Sequence, residues 1–130
     1  MERRLIIPFI SLLCVTEMNA QINECPAGSF LAGTLCQECA VGSYSFMPNS
    51  LTCESCSAGT FQNVTGQSSC TLCPPGTSSL VVGANSSSVC KPCKAGTFSS
   101  YSSCPICYSG SWSEAGASSC TGCLPGTFSK

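Results

Sequence analysis

At 130 residues, with a formal net charge of -1, no histidine and 8% charged residues, the chain has neither the cationic surface of a nucleic-acid binder nor the acidic run of a solvating tail. Its 14 cysteines inflate an apolar content of 43%, so the Leu, Ile, Val and Phe left for burial are too few for a large core. A chain of this composition keeps its shape by cross-linking rather than by area removed from water.

In chain order, Glu2-Arg3-Arg4 is a short positive lead, Leu5 to Val15 is the apolar stretch LIIPFISLLCV, and the polar TEMNA ends in the small residue Ala20. This layout predicts a secretory signal peptide over 1–20, cleaved after Ala20, with any helix confined to it and Cys14 departing with it. The apolar run is shorter than the roughly 20 residues of a membrane span. Residues 21–24 form a leader. QINEC is similar to the entry of a calcium-binding EGF-like module, but Gln21 stands at the acidic position and neither the oxygen ligands nor the cysteine pattern follows. Downstream, the longest apolar stretch surrounds Leu80-Val81-Val82, and nothing there could cross a bilayer. The predicted mature piece, without a membrane span, is secreted or extracellular.

From Cys25 onward the chain repeats itself. CPAGSF (25), CAVGSY (39), CSAGTF (56), CPPGTS (73), CKAGTF (93), CYSGSW (107) and CLPGTF (123) open seven units, and SLTC, QSSC, SSVC, YSSC and ASSC close five of them. Each closing cysteine precedes the next opening one by CxxC spacing. The glycines at 28, 42, 59, 76, 96, 110 and 126 suit a turn with positive φ, and the Ser or Thr after each can bond that turn's own backbone. Phe30, Tyr44, Phe61, Phe98, Trp112 and Phe128 give the units their one large apolar group, a ring able to lie over a disulfide or the neighbouring unit; Ser78 replaces it in the fourth. Segments such as TFQN and SWSE, followed by Gly66 or Gly116, read as miniature hairpins. The fold class expected is small and disulfide-rich: an elongated tandem array of short β-hairpin and coil repeats, without helix in the mature chain.

The CxxC pairs admit three chemistries. Cys36, Cys39, Cys53 and Cys56 come close to a four-thiolate zinc spacing, but the spacing runs on through Cys70 and Cys73 without breaking into discrete sites, and thiols oxidise behind a signal peptide. Thiol exchange needs a low-pKa thiolate in a βαβ setting, which this sequence lacks, and haem attachment needs a histidine after the motif. Structural disulfides are favoured. The simplest pairing closes each unit on itself: Cys25 with Cys36, Cys39 with Cys53, Cys56 with Cys70, Cys73 with Cys90, Cys93 with Cys104 and Cys107 with Cys120. Crossed pairings between adjacent units are the alternative. A loop of about fifteen residues contributes roughly 3 kcal/mol in the chain-entropy picture, enough to order a unit with almost no core. Cys123 is left unpaired, opening a last, incomplete repeat.

The run C-x-x-G-[ST]-[FYW] followed by S-x-C-x-x-C, read at 39 to 56, 56 to 73 and 107 to 123, resembles the cysteine-rich ephrin-receptor-like repeat and, more loosely, the modules of tumour necrosis factor receptors. The resemblance covers 25–130. It implies an extracellular, elongated, disulfide-bonded module that acts as a spacer or contact surface and not as a catalyst.

The residues agree with the last point. Without histidine no Ser-His or Cys-His pair can be built, aspartate is absent, and Glu24, Glu38, Glu54 and Glu114 are scattered over small loops. No cofactor, metal or nucleic acid is expected. The partners are an extracellular protein ligand or neighbouring domains, with a small soluble receptor-like or decoy binder as the alternative and a zinc or thiol-exchange protein as a minor one. Asn63-Val-Thr65 and Asn85-Ser-Ser87 are N-glycosylation acceptors in polar loops. Tyr101, Tyr108 and Trp112 lie close together in sequence and are candidates for ligand contact, although packing within their own units is the favoured expectation where so little else can be buried.

Overall fold

The computed structural model describes residues 24–127; the predicted signal peptide, Cys14, most of the leader and Phe128 lie outside the described residues. Six disulfides join Cys25–Cys36, Cys39–Cys53, Cys56–Cys70, Cys73–Cys90, Cys93–Cys104 and Cys107–Cys120, each within one unit, and Cys123 is free. We number the units 1 to 6 in that order, with Cys123 opening unit 7.

Every unit begins with the same β-turn. The amide of the residue after the glycine donates to the carbonyl three residues back, at 3.0–3.1 Å, from Ser29 to Pro26 through Thr127 to Leu124. The hydroxyl of that same Ser or Thr donates to the same carbonyl, at 2.7 Å in Ser29 and 2.6 Å in Thr77 and Thr97. Glycine with φ near +80° fills the third place of the turn, as at Gly42, where a side chain would be strained. Pro75 and Pro125, at the second place, suit the fixed φ wanted there.

The turn leads into a short antiparallel hairpin. β1 (Ser29–Ala32) pairs with β2 (Leu35–Glu38), and the later strands are two residues long: β3 (Ser43–Tyr44) with β4 (Glu54–Ser55), β5 (Thr60–Phe61) with β6 (Thr71–Leu72), β7 (Thr77–Ser78) with β8 (Lys91–Pro92), and β9 (Ser111–Trp112) with β10 (Thr121–Gly122). The physical meaning of CxxC is visible here. From unit 2 on, the two residues between the cysteines are the second strand, and the next opening cysteine extends the ladder by donating its amide to the previous unit's glycine carbonyl, as Cys56 does to Gly42 at 2.9 Å. In unit 5 the pairing shrinks to the bridge Thr97↔Ile106, because Pro105 accepts from Phe98 but has no N–H to return. The long loop of unit 4 absorbs its extra residues in a 3-10 turn, Ser87–Val89, capped by the Ser86 hydroxyl, the one helical turn among the described residues.

The core is sulfur and polar atoms. Cys25, Cys39, Cys56 and Cys93 are fully enclosed, and the other buried positions include Ser45, Gln62, Ser79 and Ser113, six residues after an opening cysteine. Each of these polar side chains is satisfied: Gln62 donates from Nε2 to the Ser69 carbonyl and accepts from the Val64 amide, and Ser113 donates to the Thr97 carbonyl at 2.7 Å. No buried side-chain polar atom among the described residues lacks a partner, which lets so small a core exclude water without a desolvation penalty.

Units are also joined to one another. The first glycine amide of a unit donates to the buried residue of the next, Gly28 to the Ser45 carbonyl and Gly59 to the Ser79 carbonyl. Contacts extend one unit further than sequence suggests. Gly28 lies against the backbone of Gly66, Gly42 against Gly83, Gly59 against Tyr101 and Gly76 against Gly116, each pair spanning from one unit to the next but one. The Thr65 hydroxyl donates to Glu38 Oε2 at 3.0 Å across the same interval. The array is therefore wound tightly enough for alternate units to touch.

Candidate interaction surface

The second turn of each unit sets where its outer loop points. Gly66, Gly83 and Gly116 hold this turn with positive φ, and Asn49 does so in unit 2. Unit 5 has no glycine to offer. The Ser100 and Ser103 amides and carbonyls bond each other at 2.9 and 3.0 Å, and Tyr101 takes the first corner of this tight hairpin with φ +45°. Glycine is the residue that place favours, and a non-glycine side chain there costs about 1–2 kcal/mol.

The ring so placed is 71% exposed. It borders a hollow of about 480 Å³ whose apolar lining comes from Leu72, Pro74, Pro75 and Phe98. Three units contribute. Leu72 ends the linker after unit 3, the two prolines belong to the opening turn of unit 4, and Phe98 and Tyr101 belong to unit 5. A second hollow of about 420 Å³ lies beside Tyr108 and Trp112, over Ala95 and Gly96.

Tyr108 is 81% exposed and Trp112 47%, so the favoured expectation that these rings pack within their own units is overturned for both tyrosines. The reason is their register. The ring positions five residues after the cysteine, Phe30, Tyr44, Phe61 and Phe98, are half-buried, whereas Tyr108 sits one residue after its cysteine, at the start of the turn, and Tyr101 sits at a loop corner. The place after the opening cysteine is exposed in every unit, and the loop corner is exposed at Gly33, Asn49 and Gly116 as it is at Tyr101. The proline pair and Leu72 were not singled out from sequence; Tyr101 was, for its closeness to Tyr108 and Trp112, and the missing second glycine in SSYSSC is the signal that marks its corner position.

Other candidate residues fall outside this surface. Asn63 and Asn85 are exposed on units 3 and 4. Cys123 is half-buried in a hollow with Trp112 and Leu124. Cys36, Cys39, Cys53 and Cys56, whose spacing approaches a zinc site, are all committed to disulfides, and no CxxC pair is bonded to itself. Among the described residues no group of His, Cys, Asp or Glu is disposed to hold a metal ion, and no helix is long and apolar enough to cross a membrane. Glu54 accepts from the Tyr44 hydroxyl at 3.0 Å, and that bond, with the carboxylate charge behind it, raises the Tyr44 pKa above its ordinary 10.0.

Residues 44–90, running from the aromatic of unit 2 to the closing cysteine of unit 4, match the family model described as tyrosine-protein kinase ephrin type A/B receptor-like. No curated protein matches the chain.

Proposed function

We propose that this chain, an array of ephrin-receptor-like cysteine-rich repeats, is an extracellular module that holds neighbouring domains apart and meets a protein ligand along its surface, without catalysing a reaction. One observation carries the reading: Tyr101 keeps a conformation that glycine would adopt more easily, and does so with its ring exposed beside an apolar hollow built from three units. Local strain retained at an exposed aromatic is the mark of a contact residue, and tyrosine is enriched among the residues that dominate interface energetics. The disulfides of each unit and the hydrogen bonds between units make the array a spacer of fixed geometry.

The test joins shape to contact. Small-angle scattering from the secreted protein should give an elongated particle, and a panel of displayed extracellular proteins should yield a ligand whose affinity falls at least tenfold with Tyr101→Gly, a change that keeps the turn. A compact particle would sink the spacer role; binding indifferent to Tyr101 and to Phe98→Ala would sink the surface.

A further inference from the structure

The seam between units 3 and 4 exposes a cluster of aliphatic side chains, and it carries both glycosylation acceptors. Leu80 is 81% exposed, Val82 66% and Val64 52%. Val64 is the middle residue of Asn63-Val64-Thr65, and Leu80 to Val82 lead through Gly83 and Ala84 into Asn85-Ser86-Ser87. The two segments are brought together by the fold. The Gln62 amide donates to the Ala84 carbonyl at 2.9 Å, and both of these residues are buried. Asn63 and Asn85 each follow directly on one end of that hydrogen bond, so backbone lengths alone put their α-carbons within about 15 Å of each other. Both asparagines are exposed.

We propose that N-linked glycans on Asn63 and Asn85 form a paired cover over this apolar seam and keep the chain from associating with itself through it. The inference rests on the secretory reading of the chain. The transfer joins each asparagine amide nitrogen to the anomeric carbon of an oligosaccharide carried on a lipid pyrophosphate. The bond from that carbon to the pyrophosphate oxygen breaks, releasing the lipid pyrophosphate and the amide proton. Bulky, strongly hydrated chains on adjacent units then stand over four exposed aliphatic residues that no protein group covers, while the Tyr101 hollow, on units 3 to 5, keeps its own lining.

The full chain, expressed with its first twenty residues in a secreting eukaryotic cell, tests the cover. Intact mass should show both asparagines occupied. Enzymatic removal of the glycans from the folded protein should at least double the mean sedimenting mass at micromolar concentration and raise the fluorescence of a dye sensitive to apolar surface. The double variant Leu80→Ser, Val82→Ser should stay monomeric after the same treatment. Secretion with either asparagine bare, or a deglycosylated protein that stays monomeric, overturns the cover while leaving the extracellular reading intact. Retention in the cell with Met1 in place overturns both.

Discussion

Gly59 of unit 3 and Tyr101 of unit 5 meet backbone to backbone: a Cβ on Gly59 would stand 2.5 Å from the Tyr101 carbonyl oxygen. Gly59 also has φ +83°, so it is required twice over, for conformation and for space. Gly96 has nearly the same φ, +80°, but nothing within 4 Å of an added Cβ. The two glycines separate the two costs.

Gly59→Ala should therefore destabilise the array by about 2–4 kcal/mol, the sum of backbone strain and an overlap that the neighbouring unit must yield to. Gly96→Ala should cost only the strain, about 1–2 kcal/mol. Denaturant unfolding followed by near-ultraviolet circular dichroism checks the difference; equal losses would mean that alternate units do not support one another.

Tyr101→Gly should act in the opposite direction. Removing the side chain from a corner with φ +45° relieves about 1 kcal/mol of strain, so the variant should unfold at higher denaturant concentration than the parent. A destabilised variant would show instead that the ring is held by packing.

Tyr44 should ionise above pH 10, and Glu54→Gln should bring its titration down, because the Glu54 carboxylate both accepts the phenol proton's hydrogen bond and repels the phenolate. A pKa raised in the folded state means that the contribution to stability is whole below the unfolded pKa and is lost as pH rises through the folded one. Ultraviolet titration of the phenolate in parent and variant reads the shift. Superimposable curves would remove the pair.

Replacing both Cys56 and Cys70 by serine opens a loop with a sequence separation of 14 and should cost about 3 kcal/mol. The damage should spread. Gly42 donates to the Gln62 carbonyl and Cys73 to the Gly59 carbonyl, so amide exchange at Gly42 in unit 2 and Cys73 in unit 4 should quicken along with exchange inside unit 3. Quickening confined to unit 3 would contradict the interlocked ladder.

Much of this architecture is legible in the sequence because its turns are local. A glycine three residues after a cysteine, followed by a hydroxyl residue, writes the β-turn and its reinforcing bond within five positions, and the same five are repeated from Cys25 to Thr127. The contacts between alternate units are not legible. They join backbone groups such as Gly28 and Gly66, which carry no side chain to announce a partner, and the interval between them varies with loop length. The candidate surface escapes for a related reason. Leu72, Pro74 and Phe98 come from three different units, and in sequence each looks like an ordinary linker, turn or packing residue. Only the winding of the array brings Phe98 and Tyr101 against Leu72 and Pro74.

The placement of the disulfides also decides how the chain carries tension. A pull along its length enters a unit at the opening cysteine, crosses the sulfur–sulfur bond to the closing one and passes through two residues into the next unit, so the loop between them bears no load. The 14-residue separation of Cys39 and Cys53 is length held in reserve, about 45 Å at full extension, and a reductant alone can release it. While the disulfides are intact, the loops they close, that of Tyr101 among them, are shielded from a pull on the ends.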